Sequence, residues 1–227
     1  MLAVMGAMDV ETGLLLGQLE DRSSVERLGF TVHRGRLLGV ELLVATCGIG
    51  KVNAALVTSV LAAMGADRLI FTGVAGALDP ELSPGDVVIS SDCLQHDVDV
   101  TALGYEAGRI PGEEQAWQAD PALIEAALEA SALLEGVTVK SGRVLSGDSF
   151  VADPAAVARL RADFGGSCVE MEGAAVAQAC SRAGLRFVVI RSISDSADGS
   201  AKPDFREFTE LAARNSLAVV TAMLPRV

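Results

Sequence analysis

The stretch MEGAAVAQACSRAGLRFVVIRSISD, residues 171–195, carries the strongest indication of the fold in this sequence. Its first half is rich in alanine and predicts a helix over Met171–Ala183, which Gly184 would end. Leu185–Ile190 follows as a continuous apolar run, typical of a central strand buried on both faces of a sheet. A helix that leads into a buried strand indicates an α/β domain.

The same alternation of short apolar runs and longer helical stretches extends along the whole chain. No linker, repeat or low-complexity tract interrupts it, so we predict one domain over residues 1–227. The other predicted strands are Leu2–Met8, Phe30–Arg36, Val40–Ala45, Arg68–Val74, Asp86–Cys93 and Val137–Leu145. The other predicted helices are Lys51–Met64 (ended by Gly65), Pro121–Leu134 (with Asp120 as its N-cap), Pro154–Phe164 and Phe205–Leu224.

Composition excludes several classes of protein. Half of the 227 residues are hydrophobic, which excludes a disordered chain. The net charge of −12 leaves no basic surface for nucleic acid. Four cysteines without CxxC spacing and only two histidines disfavour a zinc site and a disulfide framework. The apolar start lacks a basic n-region, and no apolar run approaches the ~20 residues of a membrane span, so we expect a soluble, cytoplasmic protein.

Acidic and basic side chains follow the ends of several predicted strands. Glu11 follows the first strand, Glu170 and Glu172 follow Val169, and Arg191 and Asp195 follow Ile190. Ligands of open α/β sheets bind beyond the carboxyl ends of strands, so these groups would converge on one site. Glycines in the segment TGVAG, residues 72–76, would let the backbone approach a ligand there.

Each of these features also has a purely structural interpretation. An acidic residue at a helix start is more often a cap than a catalyst, and Gly73 and Gly76 can simply permit a tight turn. Residues 48–51, GIGK, lack the spacing of a phosphate loop. His96 with Asp97 and Asp99 is more typical of a surface loop than of a metal site. Only the set as a whole favours a functional site.

Seven segments resemble, in order, the 5′-methylthioadenosine/S-adenosylhomocysteine nucleosidase family of the purine nucleoside phosphorylase superfamily. The similarity extends from residue 2 to about residue 224, and residues 96–112 are its most specific part, because they separate these nucleosidases from their phosphorylase relatives. The segments are GAMDVE (6–11), GIGKVNAA (48–55), TGVAGAL (72–78), HDVDVTALGYEAGRIPG (96–112), SGDSFV (146–151), VEMEGAAVAQ (169–178) and RSISDSAD (191–198).

The resemblance implies a three-layer α/β/α nucleoside phosphorylase-like fold with a mixed central sheet. It also implies a homodimer that hydrolyses an N-glycosidic bond to adenine and a 5-thioribose, without a metal or an organic cofactor. Glu11 would hold and polarise the attacking water, Asp195 would protonate adenine N7, and Glu172 would bind the ribose hydroxyls. Arg191 would steady the water and the carboxylates.

The resemblance also implies the substrate contacts. Met171 would lie against the ribose, Phe150 would stack on adenine, and the backbone of Val151 would pair with the base edge. Ile49 and Phe205 would line the 5′-thio pocket. The resemblance further implies that Val74, Glu170 and Ser194 line the site. It implies that Val100, Leu103 and Pro111 lie in a segment at the dimer interface, from which Leu103 and Pro111 close the 5′ pocket of the partner subunit.

The expected chemistry is consistent with these roles. Adenine leaves poorly as an anion, so a proton must reach it as the bond breaks. Asp195 would need a raised pKa, which burial beside other carboxylates can supply while Arg191 moderates it. The sugar becomes oxocarbenium-like, and water attacks its opposite face. Nearby carboxylates stabilise the positive charge that develops.

Two residues depart from the family pattern, and several alternatives stay open. Val74 stands where many members carry serine, and Leu103 where an aromatic residue is common. A purine nucleoside phosphorylase is disfavoured because Glu11, and no arginine, occupies the loop where phosphate would bind. A futalosine-type hydrolase remains an alternative. A non-catalytic nucleoside-binding protein is disfavoured by retention of all three carboxylates, and a dinucleotide-binding oxidoreductase by the lack of GxGxxG after the first strand.

Overall fold

The computed structural model describes residues 1–195 and 201–227, with side chains described up to residue 195 and from residue 208. Within this part of the chain, ten strands form one mixed sheet accompanied by six α-helices. The strands are β1 (Leu2–Gly6), β2 (Glu20–Arg27), β3 (Phe30–Leu37), β4 (Val40–Thr46), β5 (Arg68–Ala77), β6 (Val87–Gln95), β7 (Trp117–Gln118), β8 (Val139–Ser146), β9 (Cys168–Glu170) and β10 (Arg186–Asp195). The helices are α1 (Asp9–Leu16), α2 (Lys51–Ala63), α3 (Pro121–Ser131), α4 (Pro154–Phe164), α5 (Gly173–Ala183) and α6 (Ala201–Met223).

The centre of the sheet is parallel. β1 pairs with β4 and β5, and β5 pairs with β10, all in parallel register. Beyond β10 the sheet continues through β6 and β8 to β9, which returns to pair with β5 and closes a ring of five strands. The mixed sheet and the α/β class agree with the prediction.

The helices pack as two groups. α1 and α3 each contact α6, and α6 also packs on β10 and β5. α2 and α5 pack together, and α5 contacts β8 and β6. Apolar side chains of the central strands, such as Val4, Ile70 and Val188, are completely buried, as expected for a sheet covered on both faces. None of the described helices is both long and apolar enough to cross a membrane.

Local sequence signals explain several helix ends. The Asp120 carboxylate accepts hydrogen bonds from the backbone N–H groups of Ala122 and Leu123, as predicted for the N-cap of α3. Gly184 ends α5 in the left-handed conformation, with φ of 70°, which glycine adopts without strain.

Other elements differ from the prediction. The first strand ends at Gly6 rather than at Met8, because α1 begins at Asp9. Four elements, α1, β2, β7 and β9, were not predicted from the sequence. β2 reads EDRSSVER and is exposed along almost its whole length, so it has no alternating apolar pattern to detect. α5 begins at Gly173 rather than at Met171, and β10 continues past Ile190 to Asp195.

The topology gathers the predicted site. The parallel strands β1, β5 and β10 end at the same edge of the sheet, and Arg191 of β10 lies beside Gly73 of β5. β9 runs antiparallel to β5, with Val169 opposite Gly76, so the residues that follow it reach the same edge. Strand ends that are far apart in the sequence therefore meet in one place.

Candidate active site

A cavity opens at this edge of the sheet. The space between its walls, with the open solvent at its mouth included, is about 610 Å³. Its lining comes from loops and strand ends of both halves of the chain. The lining residues are Ala7, Met8, Glu11, Ile49, Val74, Ala75, Gly76, Ser149, Phe150, Val151, Val169, Glu170, Met171, Glu172, Ser194 and Asp195.

Glu11 lies in the first turn of α1 and is almost completely buried. Its Oε2 accepts hydrogen bonds from the backbone N–H groups of Ala7 (2.7 Å) and Met8 (2.8 Å), and its Oε1 accepts one from Val74 N–H at 3.1 Å. Burial raises the pKa of Glu11, although Arg191 and the three N–H groups oppose the shift. The carboxylate is therefore fixed in position and takes up a proton more readily than an exposed glutamate.

Arg191 lies behind the cavity wall, with 1% of its surface exposed. Its guanidinium forms a buried ion pair with Glu170 and lies over the ring of Phe71, 4.1 Å from the centroid. Burial alone would lower the pKa of Arg191, but the charges of Glu170, Glu172 and Glu11 raise it. Arg191 thus stays cationic among the three glutamates and offsets part of their mutual repulsion.

Glu170 ends β9 and binds protein donors on both carboxylate oxygens. The backbone N–H of Gly173 donates to Oε1 at 2.9 Å and to Oε2 at 2.8 Å, and the N–H of Glu172 donates to Oε2 at 3.2 Å. The Ser146 hydroxyl also hydrogen-bonds Oε1. Glu170 therefore holds Arg191 against the N-terminus of α5, where a negative charge is favoured by the helix dipole.

Glu172 precedes α5, and its Oε1 accepts a hydrogen bond from the backbone N–H of Gly50 at 2.8 Å. The pKa of Glu172 is raised to about 7, mainly by burial and also by the charges of Glu170 and Glu11. Arg191 and the Gly50 N–H lower it in part. Near neutral pH this group therefore exists in both protonation states.

Asp195 ends β10 and has 1% of its surface exposed. The Ser194 hydroxyl donates to its Oδ2 at 2.7 Å. The pairing of β10 with β5 shifts register between Ile193 and Asp195. Neighbouring residues of a regular strand point to opposite faces, and this irregularity lets both Ser194 and Asp195 line the cavity.

The outer wall of the cavity is apolar. Ile49, Phe150, Val151 and Met171 line it, with Ile49 57% and Phe150 52% exposed in this chain. Such a wall offers flat and aliphatic surfaces to a base and to a thioether. The carboxylates and the apolar wall thus lie on one cavity, where a polar and an apolar part of one ligand would both find contacts.

The structure brings most of the predicted site residues together. Leu103 and Pro111 are exposed and lie outside the described lining, and the side chain of Phe205 falls outside the described residues. Met8, Ala75 and Ser149 line the cavity although the sequence analysis did not select them. All three lie within the quoted segments, so motif membership was the available signal. The residues brought together are Glu11, Ile49, Val74, Phe150, Val151, Glu170, Met171, Glu172, Ser194 and Asp195, with Arg191 directly behind them.

Across the described side chains, no group of three or more histidine, cysteine or acidic residues is arranged to hold a metal ion. The segment after β6 contains His96, Asp97 and Asp99, which the sequence predicted to form a surface loop rather than a metal site. The Asp99 carboxylate bonds within its own turn, to the backbone and hydroxyl of Thr101.

Comparison with known proteins identifies the family. Residues 1–225 match the family model of the phosphorylase superfamily. The chain is 44% identical over 224 residues to a 5′-methylthioadenosine/S-adenosylhomocysteine nucleosidase of Geobacillus thermodenitrificans (strain NG80-2), covering 98% of this chain and 95% of the relative.

Solved structures agree with this assignment. A crystal structure of 5′-methylthioadenosine/S-adenosylhomocysteine nucleosidase from Neisseria meningitidis in complex with methylthio-immucillin-A is 42% identical, with a TM-score of 0.96 over 100% of this chain and 99% of that one. A futalosine hydrolase of Helicobacter pylori is 33% identical, with a TM-score of 0.93 over 100% and 97% of the two chains. With its full-length match to the superfamily and its carboxylate-lined cavity, this chain belongs to the 5′-methylthioadenosine/S-adenosylhomocysteine nucleosidase family of the phosphorylase superfamily.

Proposed function

We propose that this protein hydrolyses the N-glycosidic bond of 5′-methylthioadenosine and S-adenosylhomocysteine, releasing adenine and the 5-thioribose. One observation carries the proposal: three buried carboxyl groups, those of Glu11, Glu172 and Asp195, lie on one cavity whose outer wall is apolar. Hydrolysis of this bond needs a proton donor for the base, an acceptor for a proton of water, and negative charge near the sugar. The three groups can supply all of these.

Glu11 holds and polarises the attacking water. A carboxylate offers about four acceptor positions, and backbone N–H groups occupy three of those on Glu11. The remaining position can accept a hydrogen bond from water. The raised pKa of Glu11 suits a general base, because the group can take the proton that water loses as it attacks.

Asp195 delivers a proton to N7 of adenine. The Ser194 hydroxyl fixes the orientation of its carboxyl group at the end of β10. Protonation turns the base into a neutral leaving group, and a well-placed acid of this kind contributes on the order of 10²–10⁴-fold to the rate.

Glu172 binds the 2′- and 3′-hydroxyls of the ribose, and Met171 packs against the ring. As the glycosidic bond breaks, positive charge develops on the sugar. The carboxylates of Glu172 and Glu11 stabilise this charge, and they are held in place before the reaction by backbone N–H groups. Val74 presents only its backbone N–H here, and that group serves to hold Glu11.

Phe150 and Val151 bind the base, and Ile49 and Phe205 bind the 5′-thio group. We further propose a homodimer in which Leu103 and Pro111 of the partner subunit close the 5′ pocket. The exposed side chains of Val52 and Leu56 support this, because they are four residues apart and lie on one face of α2, and the exposed Ile49 lies just before this helix. A second copy of the chain would cover them.

The chain acts as a single catalytic domain over residues 1–227, in a reducing compartment such as the cytoplasm. The main hydrophobic core supports a single domain, since it runs through β1, β4, β5 and β10 and into α2 and α5. All four cysteines are buried free thiols, which supports a reducing compartment.

A futalosine-type hydrolase is the second candidate. The similarity to the Helicobacter pylori futalosine hydrolase favours it, because such an enzyme cleaves the same type of bond in a nucleoside with a different 5′ group. The two candidates share the roles of Glu11, Glu172 and Asp195 and differ at the 5′ pocket.

The deciding experiment measures the release of base from 5′-methylthioadenosine in phosphate-free buffer and again with phosphate added. We expect release without phosphate, with free methylthioribose as the other product, and its loss in Asp195→Asn while nucleoside binding survives. Asp9→Asn is the matched control, because Asp9 is an exposed acid beside the same cavity. A requirement for phosphate and formation of a sugar 1-phosphate would contradict hydrolysis. Release from futalosine alone would favour the second candidate.

A further inference from the structure

Three charged residues form a closed network behind the apolar wall of the cavity. Lys51 is the first residue of α2, Asp97 follows β6, and Asp148 follows β8. The Lys51 ammonium donates to Asp97 Oδ1 at 2.6 Å and Oδ2 at 2.9 Å, and the Asp148 backbone N–H donates to Asp97 Oδ2 at 3.0 Å. The Lys51 backbone N–H donates to Asp148 Oδ1 at 3.0 Å. Each member is thus bonded to the other two.

The central pair of the network is partly shielded from water. The side chains of Lys51 and Asp97 are 17% and 30% exposed. Burial alone would raise the pKa of Asp97, but hydrogen bonds from Lys51 and from the backbone of Asp148 outweigh it and lower the pKa. The Lys51 ammonium also donates to the side-chain oxygen of Gln95 at 3.1 Å. Asp97 therefore remains charged at neutral pH, and its carboxylate accepts charge-assisted hydrogen bonds from Lys51 as well as one from the Asp148 N–H.

Two members of the network adjoin walls of the cavity. Lys51 follows Ile49 and Gly50, and the Gly50 N–H holds Glu172. Asp148 precedes Ser149, Phe150 and Val151, which line the cavity. Residues 147–153 form neither helix nor strand, so side chains rather than a ladder of backbone bonds must hold them.

A packing contact fixes the start of the same segment. A methyl group added to Gly147 would fall 2.4 Å from Nε2 of His96, so the imidazole lies directly on the Gly147 backbone. His96 and Asp97 are consecutive. The segment after β6 therefore holds the segment after β8 by both packing and charge.

We propose that Asp97 is a positioning residue for the base and ribose contacts: through Lys51 and Asp148 it sets the place of the Phe150 segment and of the Gly50 N–H that holds Glu172. Asp97 is not among the residues that line the described cavity. Glu11, Arg191 and Asp195 belong to α1 and β10, elements to which the network contributes no residue. The inference rests on the proposed function in taking an adenine nucleoside as the ligand.

The first test compares Asp97→Ala and Asp97→Asn with the matched control Asp99→Asn. We expect the Kd for adenine and the KM for 5′-methylthioadenosine to rise roughly tenfold in Asp97→Ala, a loss of about one well-placed contact. We expect kcat to fall by less than KM rises, because Glu11 and Asp195 are untouched and only the support of Glu172 is weakened. Asp97→Asn keeps one acceptor oxygen, so its Kd and KM should lie between those of the wild type and those of Asp97→Ala. Asp99→Asn should match the wild type. Wild-type Kd and KM in Asp97→Ala would overturn the proposal, and so would a fall in kcat with KM unchanged.

The second test is independent of catalysis. Hydrogen–deuterium exchange should become faster in residues 147–153 and 49–52 of Asp97→Ala and stay unchanged in Asp99→Asn. Unchanged exchange in Asp97→Ala would overturn the proposal. Because this readout needs no nucleoside, it still tests the network if the wild-type protein fails to release adenine and the proposed function is wrong.

A double-mutant cycle tests whether Asp97 acts through Lys51. Lys51→Met should reproduce the effects of Asp97→Ala on adenine affinity and on exchange, and the double variant should be no worse than either single variant. Additive losses in the double variant would show that the two residues act separately and would contradict the proposed route.

Discussion

At the scale of single residues, Gly73 is the position with the least room beside the carboxylates. A Cβ atom there would fall 2.5 Å from Nη1 of Arg191 and 2.5 Å from Oε1 of Glu11. Neither group can move far, because Arg191 is paired with Glu170 and Glu11 is held by three backbone N–H groups.

We therefore expect Gly73→Ala to fold and to lose about 100-fold in kcat, since displacement of a catalytic group by about 1 Å has an effect of this order. Steady-state kinetics with 5′-methylthioadenosine measures it. Gly13→Ala is the control, because a Cβ at Gly13 meets no atom within 4 Å. Wild-type kcat in Gly73→Ala would show that the position of Glu11 and Arg191 is not critical.

Glu172 should make nucleoside binding depend on pH. Its pKa is raised to about 7, so below that value the group carries a proton and loses the charge that accepts hydrogen bonds from both ribose hydroxyls. We expect affinity for 5′-methylthiotubercidin, which is not cleaved, to rise with pH through about 7 and then to level off. Below the pKa the change approaches about tenfold per pH unit if only the charged form binds. Titration calorimetry from pH 6 to pH 8.5 would measure the change. Affinity in Glu172→Gln should be weaker and flat over this range, and the same slope in that variant would assign the titration to another group.

The sequence could identify the carboxylates but not their partners. Glu11, Glu172 and Asp195 follow strands or precede helices, which local patterns locate. The close approach of Gly73 to Arg191 depends on the register between β5 and β10, strands more than 100 residues apart. No local pattern encodes this register, so Gly73 was predicted to permit a tight turn or the approach of a ligand, and its packing against Arg191 and Glu11 was not predicted.

At the scale of elements, helices and strands with strong local sequence signals were predicted, and those with weak signals were missed. α3 was predicted from its N-cap and its periodicity, and its start at Pro121 is confirmed. β2 and β9 were missed because the first is polar throughout and the second has three residues. β10 was predicted too short because its last residues are buried but polar, as a strand that ends in a site requires.

The cap of α3 gives a prediction for stability without an effect on catalysis. Asp120→Ala removes the acceptor for two N–H groups and should cost about 1 kcal/mol in the free energy of unfolding. For a chain of this size this lowers Tm by about 2–4 °C. The adenine-release rate at 25 °C should not change, because α3 contributes no residue to the described lining. Asp120→Asn, which keeps an acceptor, should recover most of the lost stability. An unchanged Tm in Asp120→Ala would show that solvent satisfies these donors equally well.

At the scale of the whole molecule, one chain leaves apolar side chains exposed at the mouth of the cavity. Ile49 and Phe150 are about half exposed, and Leu103 is 73% exposed. A single chain therefore leaves apolar surface in water beside a site that would bind a thioether. Covering this surface with a second copy would link dimer formation to substrate affinity.

We expect Val52→Glu to break the proposed homodimer, because Val52 is 71% exposed on α2 and a charge buried there without a partner is costly. Light scattering should show a monomer, and the KM for 5′-methylthioadenosine should rise while the Kd for adenine changes little. Leu133→Glu is the matched control, because Leu133 is 70% exposed and lies just beyond α3, in a separate surface groove with Leu217 and Pro225. A monomeric wild type with normal KM would contradict the dimer itself. A dimer that dissociates in Val52→Glu with KM unchanged would mean that the 5′ pocket is complete within one chain, and that Leu103 and Pro111 do not contribute to it.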